Sequence, residues 1–452
     1  MENRKISVAI THGDTNGVGY ELIFKTFAEP EMLELCTPII YGSPKIAAYH
    51  RKALDIQANF TIINDAREAH EGKVNLIPCF DDEVKVDLGM PTPESGMAAL
   101  RALDKAMTDF RDGAFDVLVS CPLSSENIHD DSFSFPGLTK YVETCVGDGA
   151  KAMEIMLSEE MRMAVEAAGT NIKDVAAKLS QEGIMASVKT LSASAHRDFG
   201  LSNARVAVLS LNADNNGEEE RNIIKPAVDA LSENDANVFG PYTAEEMFGS
   251  RCYEAFDFIL AMYDDQGTIP FHTLNAEDGI CYIANLPLVC TAPLTDPQYE
   301  IAGKGIADEM AFRHAIFAAI DIFRSRAVYD EPMGNPLQKL YHEKRDESEK
   351  VRFAIPKKHD NGFKPTPRDG RRNDGPRDFK PRYNKQQEQQ NNNAKPADAA
   401  KPADATKPAD ATKPADATKP ADAAKPANVN AKPNNEAAKP AADAQQNVAA
   451  EQ

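Results

Sequence analysis

The sequence predicts an α/β fold with a largely buried, partly parallel sheet, followed by a long C-terminal stretch that builds no core. Three observations carry this. Short apolar runs alternate with helical patterns from Ile6 to about Ala327. Runs such as Phe115-Asp-Val-Leu-Val-Ser120 and Phe258-Ile-Leu-Ala-Met262 are almost continuously apolar, as expected of strands covered on both faces. From about residue 344 the apolar runs cease, and the hexapeptide Lys-Pro-Ala-Asp-Ala-Ala/Thr recurs with lysines at 395, 401, 407, 413, 419 and 425. Such a composition cannot bury enough apolar surface to offset its ordering entropy. The expected organisation is an α/β domain over 1–335, a disordered basic Arg/Gly/Pro/Gln/Asn-rich linker over 336–394 and a disordered repeat tail over 395–452.

In chain order, Ile6–Thr11 reads as a strand running into the glycine-rich turn His12-Gly-Asp-Thr-Asn-Gly-Val-Gly19 and a helix over Tyr20–Phe27. Strand, glycine-rich turn and helix can offer backbone N–H groups to an anion, or simply make a tight turn. His12 is expected there as an exposed turn residue. Strands follow at Thr37–Tyr41, Phe60–Ile63 and Val74–Pro78, with a helix from Lys45 to about Ala53. Thr92-Pro-Glu-Ser95 caps a long helix with Leu100, Leu103, Met107 and Phe110 on one face. Strands at 115–120, Met153–Leu157 and Met163–Val165 precede helices over Ile172–Gln181 and Ile184–Phe199. Strand Ala204–Leu211, helix Glu218–Leu231, strand Phe258–Met262 and a last helix from Ile306 to about Ala327 complete the pattern.

Charge is unevenly distributed. Residues 344–452 carry 22 Lys+Arg against 16 Asp+Glu, a net of +6, so the remainder stands at −26 within a total of −20. The acidic domain should repel nucleic acid and anionic membrane surfaces. Residues 344–385 combine 14 Lys+Arg with Phe363, Phe379 and Tyr383, a composition suited to RNA contact or to a solubilising linker. The seven cysteines, at 36, 79, 121, 145, 252, 281 and 290, include no Cys-x-x-Cys pair and read as reduced thiols. Cys121, at a strand end before Pro122, is the thiol to test for reactivity. Cys281 and Cys290, in strand-like segments, are expected to be buried and inert. No apolar run approaches the roughly 20 residues of a membrane span, and no signal peptide is read before Ile6. A cytoplasmic protein that contacts no membrane is expected.

The chemical centre expected from pattern alone is Phe258-Ile-Leu-Ala-Met-Tyr-Asp-Asp-Gln-Gly267. An apolar strand ending in two carboxylates and an amide delivers polar groups to the carboxyl end of a sheet, where α/β proteins bind ligands. The alternative is a solvated turn.

Thr11-His-Gly-Asp-Thr-Asn-Gly-Val-Gly19, Cys121-Pro122, Pro136-Gly-Leu-Thr139, Leu211-Asn212, Leu260-Ala-Met-Tyr-Asp-Asp-Gln-Gly267, Leu286-Pro287 and Ile301-Ala-Gly-Lys-Gly305 occur in order. On these motifs the first ~330 residues resemble the 4-hydroxythreonine-4-phosphate dehydrogenase family. The resemblance implies a two-lobed sheet architecture similar to that of the isocitrate and isopropylmalate dehydrogenases, with a cleft between the lobes. It also implies a homodimer, a divalent metal and NAD, used to oxidise and decarboxylate a phosphorylated hydroxy amino acid in pyridoxal phosphate synthesis.

Several positions depart from the family pattern. Three metal-binding histidines align with Gly169, Asp214 and Asp264. The Gly-His-Thr-Glu substrate motif stands as Gly137-Leu138-Thr139-Lys140, and a family lysine is Ser125. Later substrate contacts become His272, Cys281 and Cys290, whereas an acidic residue survives as Glu245. A segment lying against the adenosine of NAD aligns with Leu294-Thr-Asp-Pro297, losing a histidine and a glycine.

Asp265 and Glu245 are therefore the candidate catalytic groups, Thr139, Leu138 and His272 the candidate substrate contacts, and Asp214 and Asp264 the candidate metal ligands, with Gly169 a lost third. These departures predict a protein that keeps the fold, has lost the dehydrogenase reaction and serves as a scaffold or regulator that can take a small phosphorylated metabolite. The alternatives are an active NAD-dependent oxidoreductase using Asp-ligated Mg²⁺ or Mn²⁺ and an RNA-interacting protein acting through residues 344–385.

Overall fold

The computed structural model describes residues 4–80, 84–129, 134–233, 237–275 and 278–334. The linker and repeat tail, with the RNA contact expected at 344–385, lie outside the described residues. The first half of the domain comprises β1 (Ile6–Thr11), α1 (Gly19–Thr26), α2 (Pro30–Leu35), β2 (Cys36–Gly42), α3 (Pro44–Ala53), β3 (Thr61–Ile62), β4 (Asn75–Pro78), α4 (Pro93–Arg111) and β5 (Val117–Ser120). Then come α5 (Leu138–Val146), β6 (Met153–Leu157), β7 (Arg162–Val165), α6 (Val175–Lys178), α7 (Gln181–Arg197), β8 (Val206–Leu209) and α8 (Lys225–Ser232). The described chain closes with β9 (Val238–Tyr242), β10 (Phe258–Ala261), α9 (Asp264–Leu274), β11 (Ile280–Ala284), β12 (Val289–Pro293) and α10 (Met310–Gly334).

All twelve strands form one continuous sheet in the order β3-β4-β2-β1-β5-β12-β11-β6-β7-β10-β8-β9. β1 pairs in parallel with β2 and β5, and β10 in parallel with β7 and β8. The antiparallel pairs β11–β12, β6–β11 and β6–β7 join these two parallel regions. The α/β expectation holds, and the strands read as doubly covered are buried along their length: Val117–Ser120 and Phe258–Ala261 show no exposed residue. Successive residues feed different cores. Val8 and Ile10 belong to one apolar core with residues of α1, α7, α8 and α10, whereas Ala9 and Leu118 belong to another with residues of α4 and α5. Ile259 and Ala261 pack beneath Phe271 of α9.

Local chemistry sets several boundaries. The predicted cap of α4 is a full capping box: Thr92 Oγ1 accepts from the Ser95 N–H at 3.2 Å, and Ser95 Oγ accepts from the Thr92 N–H at 3.3 Å. The helix expected over 172–181 is instead interrupted, because Leu179 is extended and Ser180 caps α7 by accepting from Gly183 N–H at 3.0 Å. The last helix begins at Met310 rather than Ile306; the carboxylate of Asp308 accepts the Met310 N–H at 2.8 Å and so marks its start.

A buried ion pair fixes α10 on the sheet. Arg326 and Asp198, 5% and 3% exposed, lie 2.7 Å apart. Arg326 also donates to the carbonyls of Leu286 and Pro287 and to Tyr282 Oη, and Tyr282 donates to Asp198 at 2.6 Å. The network joins the end of α7, the β11–β12 turn and α10. Its donors and acceptors are matched, as burial of two charges requires.

Candidate active site

Two places follow from the sequence reading: the glycine-rich turn after β1 and the strand end at β10. At the first, the chain engages its own amides. Asp14 N–H donates to Pro122 O, Asn16 N–H to Asp14 Oδ1, Gly17 N–H to Asp14 O and Val18 N–H to Pro297 O. The turn is therefore a packed corner, and these four N–H groups are not available to an anion. Pro297 also closes over Gly17, where an added Cβ would lie 2.7 Å from the proline carbonyl oxygen.

His12 corrects the expectation of exposure. It is fully buried, stacked on Tyr20 with ring centroids 5.2 Å apart, and neither ring nitrogen has a hydrogen-bond partner. Burial lowers its pKa to about 4, with the nearby His50 adding to the effect. The Asp14 carboxylate beside it is 2% exposed and anchors three segments, accepting from Ser95 Oγ, Asn127 Nδ2 and Tyr299 Oη at 2.9, 2.6 and 3.0 Å.

The second place opens into a cleft of about 480 Å³ lined by the start of α5, by β6, by the end of β7 with its following loop, and by α6, α7 and α9. This size suits a small metabolite. The alternative of a solvated turn at Asp264-Asp265 is not what forms: both residues make the first turn of α9, after the extended Tyr263. Gln266 is the buried latch, accepting from Met262 N–H at 2.7 Å and donating to Ser210 O at 2.6 Å. Gly267 is required for close packing, since a Cβ there would lie 3.0–3.1 Å from Met163, Ala261 and Val165.

The cleft brings together some predicted residues and leaves out others. Leu138, Thr139, Gly169 and Asp264 line it. Asp264 Oδ2 accepts the Gly169 N–H at 2.9 Å, so two of the three aligned metal positions meet through a direct hydrogen bond. Gly169 has φ +65°, a conformation in which a side chain would be strained. Asp214 does not line the cleft; its exposed carboxylate accepts the Asn216 N–H at 3.3 Å. Asp265, Glu245, His272 and Ser125 are exposed and also outside its walls. Cys281 and Cys290 are buried as expected, and burial pushes both thiols up. Cys121, the thiol singled out for a reactivity test, is buried too, and burial raises it well above the ordinary value.

The motif reading missed much of the cleft's charge. Lys140, Lys151 and Lys178 share its walls with Glu143, Glu154, Glu166 and Asp264. Thr139 donates to Glu154 at 2.8 Å, and Lys178 donates to Thr170 at 2.6 Å. Burial pushes the Glu143 carboxyl up, but its ion pair with Lys140 and the Ala152 N–H outweigh this and hold it below the ordinary value. Glu166 Oε2 is buried without a partner. The glutamates stand singly at strand ends and in a helix, where sequence offers no spacing to announce them.

A divalent ion does not fit these residues as they stand. One Asp264 oxygen is engaged by a backbone amide, Gly169 has no ligating side chain, Asp214 lies elsewhere, and the described residues contain no group of three or more His, Cys, Asp or Glu side chains able to hold a metal. NAD fits the glycine-rich turn no better, given its engaged amides and the overlying Pro297.

A charged cleft at the strand ends of an α/β sheet is the arrangement found in the enzyme-like α/β class. The chain belongs to the pyridoxal phosphate biosynthetic protein PdxA family, whose model matches residues 34–319. It is 47% identical over 358 residues to a 4-hydroxythreonine-4-phosphate dehydrogenase of Bacteroides thetaiotaomicron, covering 78% of this chain and 98% of that protein. A Sulfurihydrogenibium enzyme of the same name is 30% identical over 326 residues, covering 71% and 99%. Among solved structures, the 4-hydroxythreonine-4-phosphate dehydrogenase from Burkholderia phymatum superposes with a TM-score of 0.58 at 25% identity, covering 71% of this chain and 99% of that one. The Klebsiella pneumoniae enzyme shares the fold, with a TM-score of 0.62 at 24% identity and coverage of 72% and 99%.

Proposed function

We propose that this protein keeps the scaffold of a 4-hydroxythreonine-4-phosphate dehydrogenase without its metal-dependent oxidation and acts as a binding or regulatory protein for a small polar metabolite. The observation that carries this reading is the hydrogen bond from Gly169 N–H to Asp264 Oδ2, formed where the family resemblance puts two of three metal ligands. A secondary alcohol is too weak an acid to ionise at neutral pH without a Lewis acid, and among the described residues no imidazole lines the cleft. Lys151 and Lys178 remain in the walls to meet an anionic group, and Glu154 and Glu166 to meet a cationic one. The ligand class that matches is a small metabolite bearing both charges, a phosphorylated one included. By the same resemblance the assembly is a homodimer.

An active NAD-dependent dehydrogenase is the second reading, favoured by the 47% identity to a named enzyme across 98% of that enzyme's length. It would require Asp214, Asp264 and Asp265 to gather around Mg²⁺ or Mn²⁺. The discriminating experiment incubates the purified full chain with 4-hydroxythreonine 4-phosphate, NAD and Mg²⁺, Mn²⁺ or Zn²⁺ and follows NADH absorbance. The first reading expects only background. Turnover on the order of 1 s⁻¹ or faster, an ordinary enzymatic rate, would establish the second.

A further inference from the structure

A second pocket, of about 540 Å³, lies between the β6–β7 hairpin, the end of α7 and the outer face of α10. No role described above uses it. Leu157, Phe199, Ile280, Phe317 and Ile322 give it apolar walls, and Phe317 is 37% exposed.

Into this setting the fold places Arg162. Its guanidinium lies 5.1 Å from the ring centroid of Phe199 and 5.8 Å from that of Phe258. A guanidinium held over aromatic rings keeps its N–H groups for other acceptors. No described residue supplies one; Asp257 acts on it only through space. Burial lowers the guanidinium pKa from its ordinary value, so an arriving anion would favour the charged form.

The acids nearby have partners of their own. Asp198 is held by Arg326 at 2.7 Å, Asp278 lies 3.5 Å from His314, and Asp321 lies 3.7 Å from Arg324. Glu159, exposed on the hairpin turn, is the exception, and it sets a preference for a ligand whose negative charge is confined to one end. Arg162 is thus the cation of this pocket that no carboxylate engages.

We propose that this pocket is a binding site for small carboxylates with an apolar body, the carboxylate meeting the free N–H edge of Arg162 and the body lying against Ile280 and Phe317. The recognition is that of a guanidinium fork for a planar anion beside apolar walls.

The test titrates the full chain with 3-phenylpropionate by calorimetry, with phenethylamine as the oppositely charged probe of similar shape. Saturable binding of the carboxylate and none of the amine is expected. Arg162→Gln should weaken binding by about tenfold or more and Arg162→Lys by less, because an ammonium keeps the charge but loses the fork. Phe317→Ser, on the exposed face of α10, should weaken binding while leaving the melting transition in place. Four results would overturn the proposal: no saturation at ~10 mM, a range covering even weak millimolar sites; equal affinity in Arg162→Gln; preference for the amine; or a concentration-dependent dimer that Phe317→Ser dissolves, which would make this face a subunit contact.

Discussion

Replacing Asp264 separates a structural carboxylate from a metal-binding one. Its Oδ2 takes the Gly169 N–H at 2.9 Å, and the residue sits in the first turn of α9. A hydrogen bond to a charged group contributes about 1.5–3 kcal/mol, and partial solvent access at this half-buried site places it near the lower end. Favourable placement at a helix N-terminus adds about 0.3–1 kcal/mol. Asp264→Ala should therefore destabilise by about 2 kcal/mol, whereas Asp264→Asn, which keeps an acceptor and loses only charge, should cost about 0.5–1 kcal/mol. Urea denaturation gives these differences, and native-state hydrogen exchange supplies the local readout: the Gly169 amide should exchange about tenfold faster or more in the Ala variant and near the wild-type rate in the Asn variant. Equal exchange at Gly169 in all three proteins would refute the hydrogen bond as the role of this carboxylate.

Three further outcomes follow from the buried groups. Arg326→Met leaves Asp198 buried and unpaired and should cost about 3–5 kcal/mol in thermal unfolding, whereas adding Asp198→Leu should recover part of that loss; a double variant less stable than either single one would contradict it. His12 has a native pKa of about 4 against roughly 6.5 when unfolded, so the unfolded chain binds the extra proton between these values. Stability should fall as pH drops through that window, by about 3 kcal/mol from this group, and His12→Phe should flatten the slope measured by denaturation at each pH. Cys121, Cys281 and Cys290 are buried with raised thiol pKa values. Iodoacetamide followed by mass spectrometry should leave these three unmodified in the native chain and label them after unfolding.

What could be read from sequence depended on whether the signal was local. Phe258–Ala261 and Val117–Ser120 were legible because a nearly unbroken apolar run of that length has few other uses. The start of α4 was legible because Thr92 and Ser95 cap each other within four residues. By contrast, Asp-Asp-Gln-Gly with Pro270 downstream has every local mark of a turn. It forms a helix because tertiary partners decide: Gln266 bridges Met262 and Ser210, and Gly267 fits against Met163, Ala261 and Val165. The same holds for His12, whose glycine-rich surroundings suggest solvent but which Tyr20 and Phe80 enclose. Glu154 and Glu166 reach the cleft through the pairing of β6, β7 and β11 in an order that no single segment encodes.

The proposal that the metal-binding cage is lost is tested most directly by calorimetric titration of Zn²⁺, Mg²⁺ and Mn²⁺ into the full chain after chelation. Heats of dilution alone are expected from the native sequence. A stoichiometric site with micromolar or tighter affinity, abolished by Asp264→Ala, would contradict the assignment of Asp264 to the Gly169 amide and restore the case for a metal-dependent dehydrogenase.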